Sequence, residues 1–97
     1  MTGTRQRQRS KCRIFADIIR ALESGDGEPV KVTHLLRSAN VPYDRLMGYL
    51  LQMERSGLIS RSSDGEAATF IVTDKGRKYL VEFRKFEEFG SVFGVEI

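Results

Sequence analysis

The sequence predicts a single small α+β domain in which helices predominate. The chain has 97 residues, of which 40% are hydrophobic and 30% charged, as is typical of one soluble folded domain. Four segments place apolar residues three and four positions apart, which is the spacing of an amphipathic helix. A Ser-Ser-Asp-Gly turn separates two short segments between the third and fourth of these, which indicates a β-hairpin.

The basic residues are concentrated at the N-terminus. The chain carries 16 Lys and Arg against 13 Asp and Glu, a net charge of +3. The first thirteen positions contain no acidic residue and include Arg5, Arg7, Arg9, Lys11 and Arg13. Residues 1–9 show no periodicity and are predicted to form a flexible basic arm on a nearly neutral body. Such an arm can bind a polyanion such as nucleic acid, or it can be a solubilising terminus or a cloning remnant.

The first half of the chain predicts two helices with a short strand between them. The first helix covers residues 10–24, with one apolar side formed by Ile14, Phe15, Ile18, Ile19 and Leu22. Gly25 and Gly27 end it, and residues 30–32 are long enough only for an edge strand. Thr33 is predicted to cap the second helix, whose inward side holds Leu35, Leu36 and Ala39.

A third helix and the hairpin follow a break at residues 40–42. The helix is predicted from Pro42, as its first helical residue, to Ser56, and its buried side consists of Leu46, Leu50 and Met53. Gly57 ends this helix. A strand then begins at Leu58-Ile59, the turn is predicted at residues 62–65, and the return strand covers residues 68–72.

The fourth helix begins after Thr73, a predicted N-cap, and continues at least to Phe86, with Gly90 and Gly94 weakening it beyond that point. Tyr79, Phe83, Phe86, Gly90 and Phe93 follow the 4-3-4-3 spacing of a coiled-coil seam. So many phenylalanines exceed what a core this small can cover, which predicts a dimer interface. The predicted interface residues are Tyr79, Phe83, Phe86, Phe89 and Phe93. Alternatively, Leu80, Phe83 and Phe86 fold back onto the first helix.

The predicted order of elements is that of a winged helix-turn-helix. It runs helix, short strand, helix, turn, helix, hairpin, helix. In that fold the second helix of the helix-turn-helix lies in a DNA major groove and the hairpin forms the wing. We therefore predict a basic arm at residues 1–9, a winged helix-turn-helix domain at residues 10–73, and a dimerisation helix and tail at residues 74–97. Because winged helices also serve as protein-interaction modules, the fold by itself leaves the function open.

Two stretches of the sequence resemble a known family. The first is similar to the core of small archaeal winged helix-turn-helix DNA-binding proteins. It consists of Ser38-Ala39-Asn40-Val41-Pro42-Tyr43-Asp44-Arg45-Leu46, with the later Tyr49-Leu50 and Gly57-Leu58-Ile59. The stretch from Thr73 to Leu80 resembles the junction between their wing and last helix. The resemblance implies a transcriptional regulator or chromatin protein. It also implies a dimer formed through an antiparallel coiled coil of C-terminal helices.

The predicted recognition residues lie on the outward side of the third helix and are Tyr43, Arg45, Gly48, Tyr49 and Gln52. Arg45 can bond guanine through two hydrogen bonds, and Gln52 can read adenine. Gly48 costs about 1 kcal/mol relative to alanine inside a helix. Either a close phosphate or base, or a close helix–helix contact, would explain it. Tyr43 and Tyr49 fit core packing as well as DNA contact.

The remaining DNA-binding predictions concern the wing and the N-terminus. Arg61, Ser62 and Ser63 flank the predicted wing tip, where Arg61 is the best candidate for a phosphate or minor-groove contact. It could also be an ordinary charge at a strand edge, and Asp64 and Glu66 make this wing less basic than a strong DNA wing. Arg5, Arg7, Arg9, Lys11 and Arg13 complete the predicted set.

The composition argues against several other functions. One cysteine and one histidine exclude a disulfide framework and the common zinc sites, and no nucleophile constellation or phosphate-binding glycine loop is present. We therefore expect no enzyme activity, cofactor, metal or small-molecule substrate. The sequence has no apolar run that could cross a membrane and no secretory signal, so we expect a cytoplasmic, nucleoid-associated protein. The expected partners are double-stranded DNA and a second copy of the chain. The alternatives are a protein-binding adaptor and an RNA-binding winged helix.

Overall fold

The computed structural model describes residues 10–64 and 67–95, and it contains four helices and three strands in the predicted order. The elements are α1 (Lys11–Glu23), β1 (Val30–Lys31), α2 (Val32–Ala39), α3 (Tyr43–Arg55), β2 (Ile59–Asp64), β3 (Ala67–Val72) and α4 (Asp74–Val92). The predicted fold class, a mostly helical α+β winged helix-turn-helix, is confirmed. Arg5, Arg7 and Arg9 lie outside the described residues.

The three strands form one antiparallel sheet in the order β1-β3-β2. β2 and β3 stay in register from Ile59 opposite Val72 to Asp64 opposite Ala67. The turn predicted at residues 62–65 is therefore too early, since Ser62 and Ser63 still belong to the ladder. Serine and aspartate favour a turn, but cross-strand pairing supplies the backbone hydrogen bonds that keep them in the strand here.

The helix-turn-helix is made by α2 and α3. Asn40 ends α2 in the left-handed conformation, with φ of 56°, which asparagine tolerates better than most residues. Two predicted helix starts are wrong, by two residues for α2 and by one residue for α3. α2 begins at Val32, so Thr33 lies inside the helix, and Pro42 is the residue before α3 with an extended ψ of 151°.

The first and last helices begin at side-chain caps. The Ser10 hydroxyl accepts a hydrogen bond from the Arg13 amide at 3.1 Å, and the Thr73 hydroxyl accepts one from the Gly76 amide at 3.0 Å. The predicted Thr73 cap is thus confirmed. α4 runs to Val92, so the helix continues through Gly90.

One hydrophobic core holds the elements together, and α1 lies at its centre. Every apolar residue predicted for the inward sides of α1 and α3 is buried. Phe15 of α1 has ring contacts with both Tyr49 of α3, at 5.7 Å between centroids, and Tyr79 of α4, at 6.4 Å. Leu80 and Phe83 of α4 belong to the same core, so the first half of α4 is fixed against the helix-turn-helix.

Candidate nucleic-acid interface

α3 turns one continuous face away from the core. Because Leu46, Leu50 and Met53 are buried, the opposite side of the helix faces outward. Its exposed residues are Asp44, Arg45, Gly48, Leu51, Gln52 and Arg55. Two arginines against one aspartate make this face positive, as a surface that meets DNA phosphates requires.

Gly48 lies in the middle of that face with free space around it. Apart from its two chain neighbours and the backbone of its own helix, a Cβ added there would have no heavy atom of residues 10–64 and 67–95 within 4 Å. A close helix–helix contact within the described chain therefore does not explain this glycine. The helix backbone at this position is open to the outside.

The two tyrosines of α3 occupy different environments. Tyr43 is 56% exposed at the first turn of the helix, but it lies in line with the buried Leu46 and Leu50 and not on the outward face predicted for it. Tyr49 is half-buried, and its ring meets Phe15 edge-on at an interplanar angle of 75°. The prediction that Tyr49 lies on the outward face is corrected. Its position places the ring on the flank of α3 that faces α1, where covering the Phe15 ring removes apolar surface from water.

Arg61 of the wing is engaged with its own chain. Its Nε donates to Glu54 Oε1 at 3.2 Å, and its guanidinium carbon lies 5.1 Å from the centre of the Phe70 ring. Arg61 therefore lies between α3 and the sheet instead of at the wing tip.

The two wing serines are placed by the hairpin. The Ser62 hydroxyl lies 3.3 Å from that of Thr69, and the Thr69 hydroxyl also lies 3.1 Å from the Ser62 carbonyl oxygen, to which it donates. The side chain of Ser63 is outside the described part of the structure.

The basic residues of α1 do not all face outward. Arg13 and Arg20 approach Glu87 of α4 at 3.3 Å and 3.4 Å, and Arg20 also pairs with Asp17 at 3.0 Å. The positive charge of Arg13 is thus already matched by a carboxylate of α4. Lys11 is exposed, and only Ser10 separates it from the predicted arm.

The aromatic residues of α4 separate into an inner and an outer group. Phe83 is buried and Tyr79 half-buried, with their rings stacked at 6.3 Å. Phe86, Phe89 and Phe93 are 51%, 59% and 66% exposed. The predicted seam is therefore corrected at its N-terminal end, where Tyr79 and Phe83 cover α1 of the same chain. The fold-back alternative is correct for Leu80 and Phe83 and wrong for Phe86.

A hydrogen bond fixes α4 against the start of α1. The Tyr79 hydroxyl donates to the Cys12 carbonyl oxygen at 2.8 Å. Burial, with a smaller effect of the Cys12 thiol, raises the pKa of Tyr79 above its usual range. The phenol therefore stays protonated and remains a donor at neutral pH.

Two residues of this surface were not identified from the sequence. Leu51 is an exposed apolar side chain on the α3 face, and Glu54 is the partner of Arg61. No local signal identifies Glu54, because the chain reverses between it and Arg61. Among residues 10–64 and 67–95, no three His, Cys, Asp or Glu side chains are grouped to hold a metal ion. In the same residues, no helix combines the length and apolar character needed to cross a bilayer.

Comparisons with known proteins agree with this geometry. Residues 8–91 match the winged helix-turn-helix family. Sso10a-2, a DNA-binding protein from Sulfolobus solfataricus, superposes with a TM-score of 0.79 at 20% identity, covering 88% of this chain and 85% of that one. A protein from Archaeoglobus fulgidus gives 0.66 at 19% identity, with 81% and 85% covered.

The repressor CouR, solved on a 23-mer DNA duplex, gives a TM-score of 0.57 at 22% identity, covering 78% of this chain and 66% of that one. No curated protein matches the chain. At identities of 19–22%, the likeness to these three structures shows only a shared fold. The match to the family, in contrast, is a match of sequence and covers residues 8–91. The protein is a member of the winged helix-turn-helix family.

Proposed function

We propose that the protein binds double-stranded DNA as a homodimer and acts in transcriptional regulation. The observation that carries this proposal is the outward face of α3, which is positive and has open space over Gly48. An α-helix fits the major groove, and residues near its N-terminus contact base edges. Structures similar in fold are described as a DNA-binding protein and as a repressor on a DNA duplex, which supports the same use of this fold.

In this arrangement Arg45 reads a base and the neighbouring residues of α3 complete the contact. Arg45 lies in the first turn, is exposed, and can present two parallel N–H groups to a guanine. Gln52, two turns further along, is exposed on the same side of the helix, and Tyr43 is exposed at its first turn. The open space over Gly48 lets the duplex approach the helix backbone closely.

The basic N-terminus supplies phosphate contacts. Arg5, Arg7 and Arg9 precede α1 in the sequence, and Lys11 opens α1 with an exposed side chain. Arginines and lysines at phosphates add affinity that depends on salt but not on sequence. The proposed function places the protein in the cytoplasm, on the nucleoid.

The second copy joins through α4. Phe86, Phe89 and Phe93 expose more aromatic surface than a monomer usually leaves in water, and Phe89 and Phe93 are in contact at 4.9 Å between ring centroids. Pairing two α4 helices would cover these rings and place two α3 helices on one duplex with two-fold symmetry.

Fluorescence anisotropy of a labelled mixed-sequence duplex over a salt series tests the proposal. We expect binding with a steep salt slope, and a shallower slope for a chain that lacks residues 1–9. At a site selected from a random duplex pool, Arg45→Ala should weaken binding by about 1–3 kcal/mol. Arg84→Ala removes the same charge from an exposed position of α4 and is the matched control.

A protein-binding adaptor is the second candidate. The observation that favours it is the pairing of the wing arginine Arg61 with Glu54, which reduces the positive charge of the wing. Absence of duplex binding at low salt would favour the adaptor. Preference for a structured RNA competitor over the duplex would favour an RNA-binding protein.

A further inference from the structure

Arg61 is held from two sides at the junction of α3 and the wing. Glu54, in the last turn of α3, accepts from its Nε at 3.2 Å. The Phe70 ring lies below the guanidinium at 5.1 Å. Because Phe70 is completely buried, that ring is a fixed platform, and a cation over an aromatic face is attracted to it.

This arrangement leaves the outer edge of the guanidinium available. The bond to Glu54 uses Nε, and within residues 10–64 and 67–95 neither Nη atom has a hydrogen-bond partner. The Arg61 side chain is 39% exposed. An arginine whose stem and Nε are fixed presents its two Nη groups in one orientation, so it loses little conformational freedom when it binds a phosphate.

Glu54 has two opposing effects on such a contact. Its carboxylate oxygen accepts the hydrogen bond from Nε and so fixes the orientation of the Arg61 guanidinium group. Its negative charge also lies beside the place that a DNA phosphate would take, and like charges there repel. The pair is half-exposed, so it contributes little to folding stability, and its main consequence is for what binds next to it.

We propose that Glu54 is a positioning residue that orients Arg61 towards a DNA phosphate and, through its charge, limits the sequence-independent affinity of the wing. This inference rests on the proposed function, because it specifies a phosphate contact of the same interface. The two effects can be separated by substitution, since glutamine retains the accepting oxygen without the charge, whereas alanine retains neither.

The test measures duplex affinity over a salt series with the full chain. We expect Glu54→Gln to bind a mixed-sequence duplex about 2- to 10-fold more tightly and to steepen the salt slope by about 1, because Arg61 then acts as an uncompensated cation. Glu54→Ala should bind more weakly than Glu54→Gln, because the orientation of Arg61 is lost. Arg61→Ala should weaken binding and remove the difference between the alanine and glutamine variants at Glu54.

Glu82→Gln is the matched control. Glu82 is an exposed residue of α4 that pairs with Lys85 at 3.3 Å, so its substitution changes the net charge equally at a similar surface ion pair. A Glu54→Gln variant with the affinity and salt slope of Glu82→Gln, or with weaker binding than the unmodified protein, would overturn the inference while the proposed function stands. Failure of the unmodified protein to bind duplex at low salt would instead overturn the proposed function, and the inference with it.

Discussion

Gly76 lies directly against the carbonyl oxygen of Leu58, with no room for a side chain between them. A Cβ at Gly76 would collide with that oxygen and would lie 2.6 Å from a methyl group of Val72. The first turn of α4 is thereby pressed onto the start of the wing. The Thr73 hydroxyl reinforces this junction, since it lies 2.6 Å from the Gly57 carbonyl oxygen and 3.0 Å from that of Leu58.

We expect Gly76→Ala to destabilise the fold. The nearest neighbour of the new methyl group is backbone, which cannot rotate away, so the free energy of unfolding should fall by about 1–3 kcal/mol as in other overpacked cores. Urea denaturation followed by circular dichroism measures the change. A variant as stable as the unmodified protein would show that α4 can shift away from the wing.

Gly48→Ala should have the opposite effect on stability. The methyl group enters open space on a helix, and alanine is favoured over glycine there by up to about 1 kcal/mol. If duplex DNA approaches the helix backbone at this position, the same variant should bind DNA more weakly. Thermal denaturation and anisotropy on one protein sample measure both effects. If the variant is more stable but binds DNA with unchanged affinity, the duplex does not approach the helix backbone closely at Gly48.

Thr73→Ala should weaken the start of α4. The hydroxyl satisfies the Gly76 amide and lies within hydrogen-bonding distance of two carbonyl oxygens, so its loss should cost about 0.5–2 kcal/mol of unfolding free energy. Thr73→Ser keeps the hydroxyl and should recover most of the stability. Equal losses for the two variants would assign the effect to the methyl group.

Tyr79 should make stability fall at alkaline pH. Burial raises the pKa of Tyr79 in the folded protein, whereas in the unfolded chain the phenol ionises near its ordinary value of about 10. Its contribution is therefore complete below about pH 10 and is lost as the pH rises above it, because the unfolded state releases the proton first.

Tyr79→Phe provides the comparison for that pH dependence. The variant should lose about 0.5–1.5 kcal/mol at neutral pH, since the bond to the Cys12 carbonyl oxygen is removed. Between pH 9 and about pH 11 its urea midpoint should fall less than that of the unmodified protein. If the urea midpoints of the two proteins fall equally with rising pH, Tyr79 is not the titrating group.

Phe89→Ser and Phe93→Ser should break the proposed dimer without unfolding the chain. Both rings are exposed in a single chain, so their removal should cost little intramolecular stability. Sedimentation or light scattering at tens of micromolar should change from twice the chain mass to the chain mass. A monomeric unmodified protein at that concentration would contradict dimerisation through α4.

The order of elements and most of the core could be predicted from the sequence. Leu46, Leu50 and Met53 repeat at helical spacing, and Thr73 combines a capping side chain with the start of an apolar segment. These signals are local, because the residues that decide them are within one or two turns of each other. The boundaries that were wrong differ by two residues at the start of α2 and by one residue at the start of α3, which is the range over which helix ends are least sharply defined.

The candidate site was predictable only in part. Arg45, Gly48 and Gln52 follow from the buried side of α3, because a helix that buries one face must expose the other. The partners of Arg61, Arg13 and Tyr79 could not be read in the same way. Glu54, Glu87 and the Cys12 carbonyl oxygen come from other elements, and only the angles at which the helices and hairpin meet bring them within reach.

The packing of neighbouring elements also explains why the aromatic residues of α4 are divided between the core and the surface. Spacing alone puts Tyr79, Phe83 and Phe86 on one stripe, and it cannot say where along the stripe the neighbouring helix ends. In the folded chain the apolar side of α1 covers Phe83 and leaves Phe86 exposed. Side-chain periodicity is a property of one helix, whereas the allocation of its stripe between the core and a partner depends on the length and position of the helix packed against it.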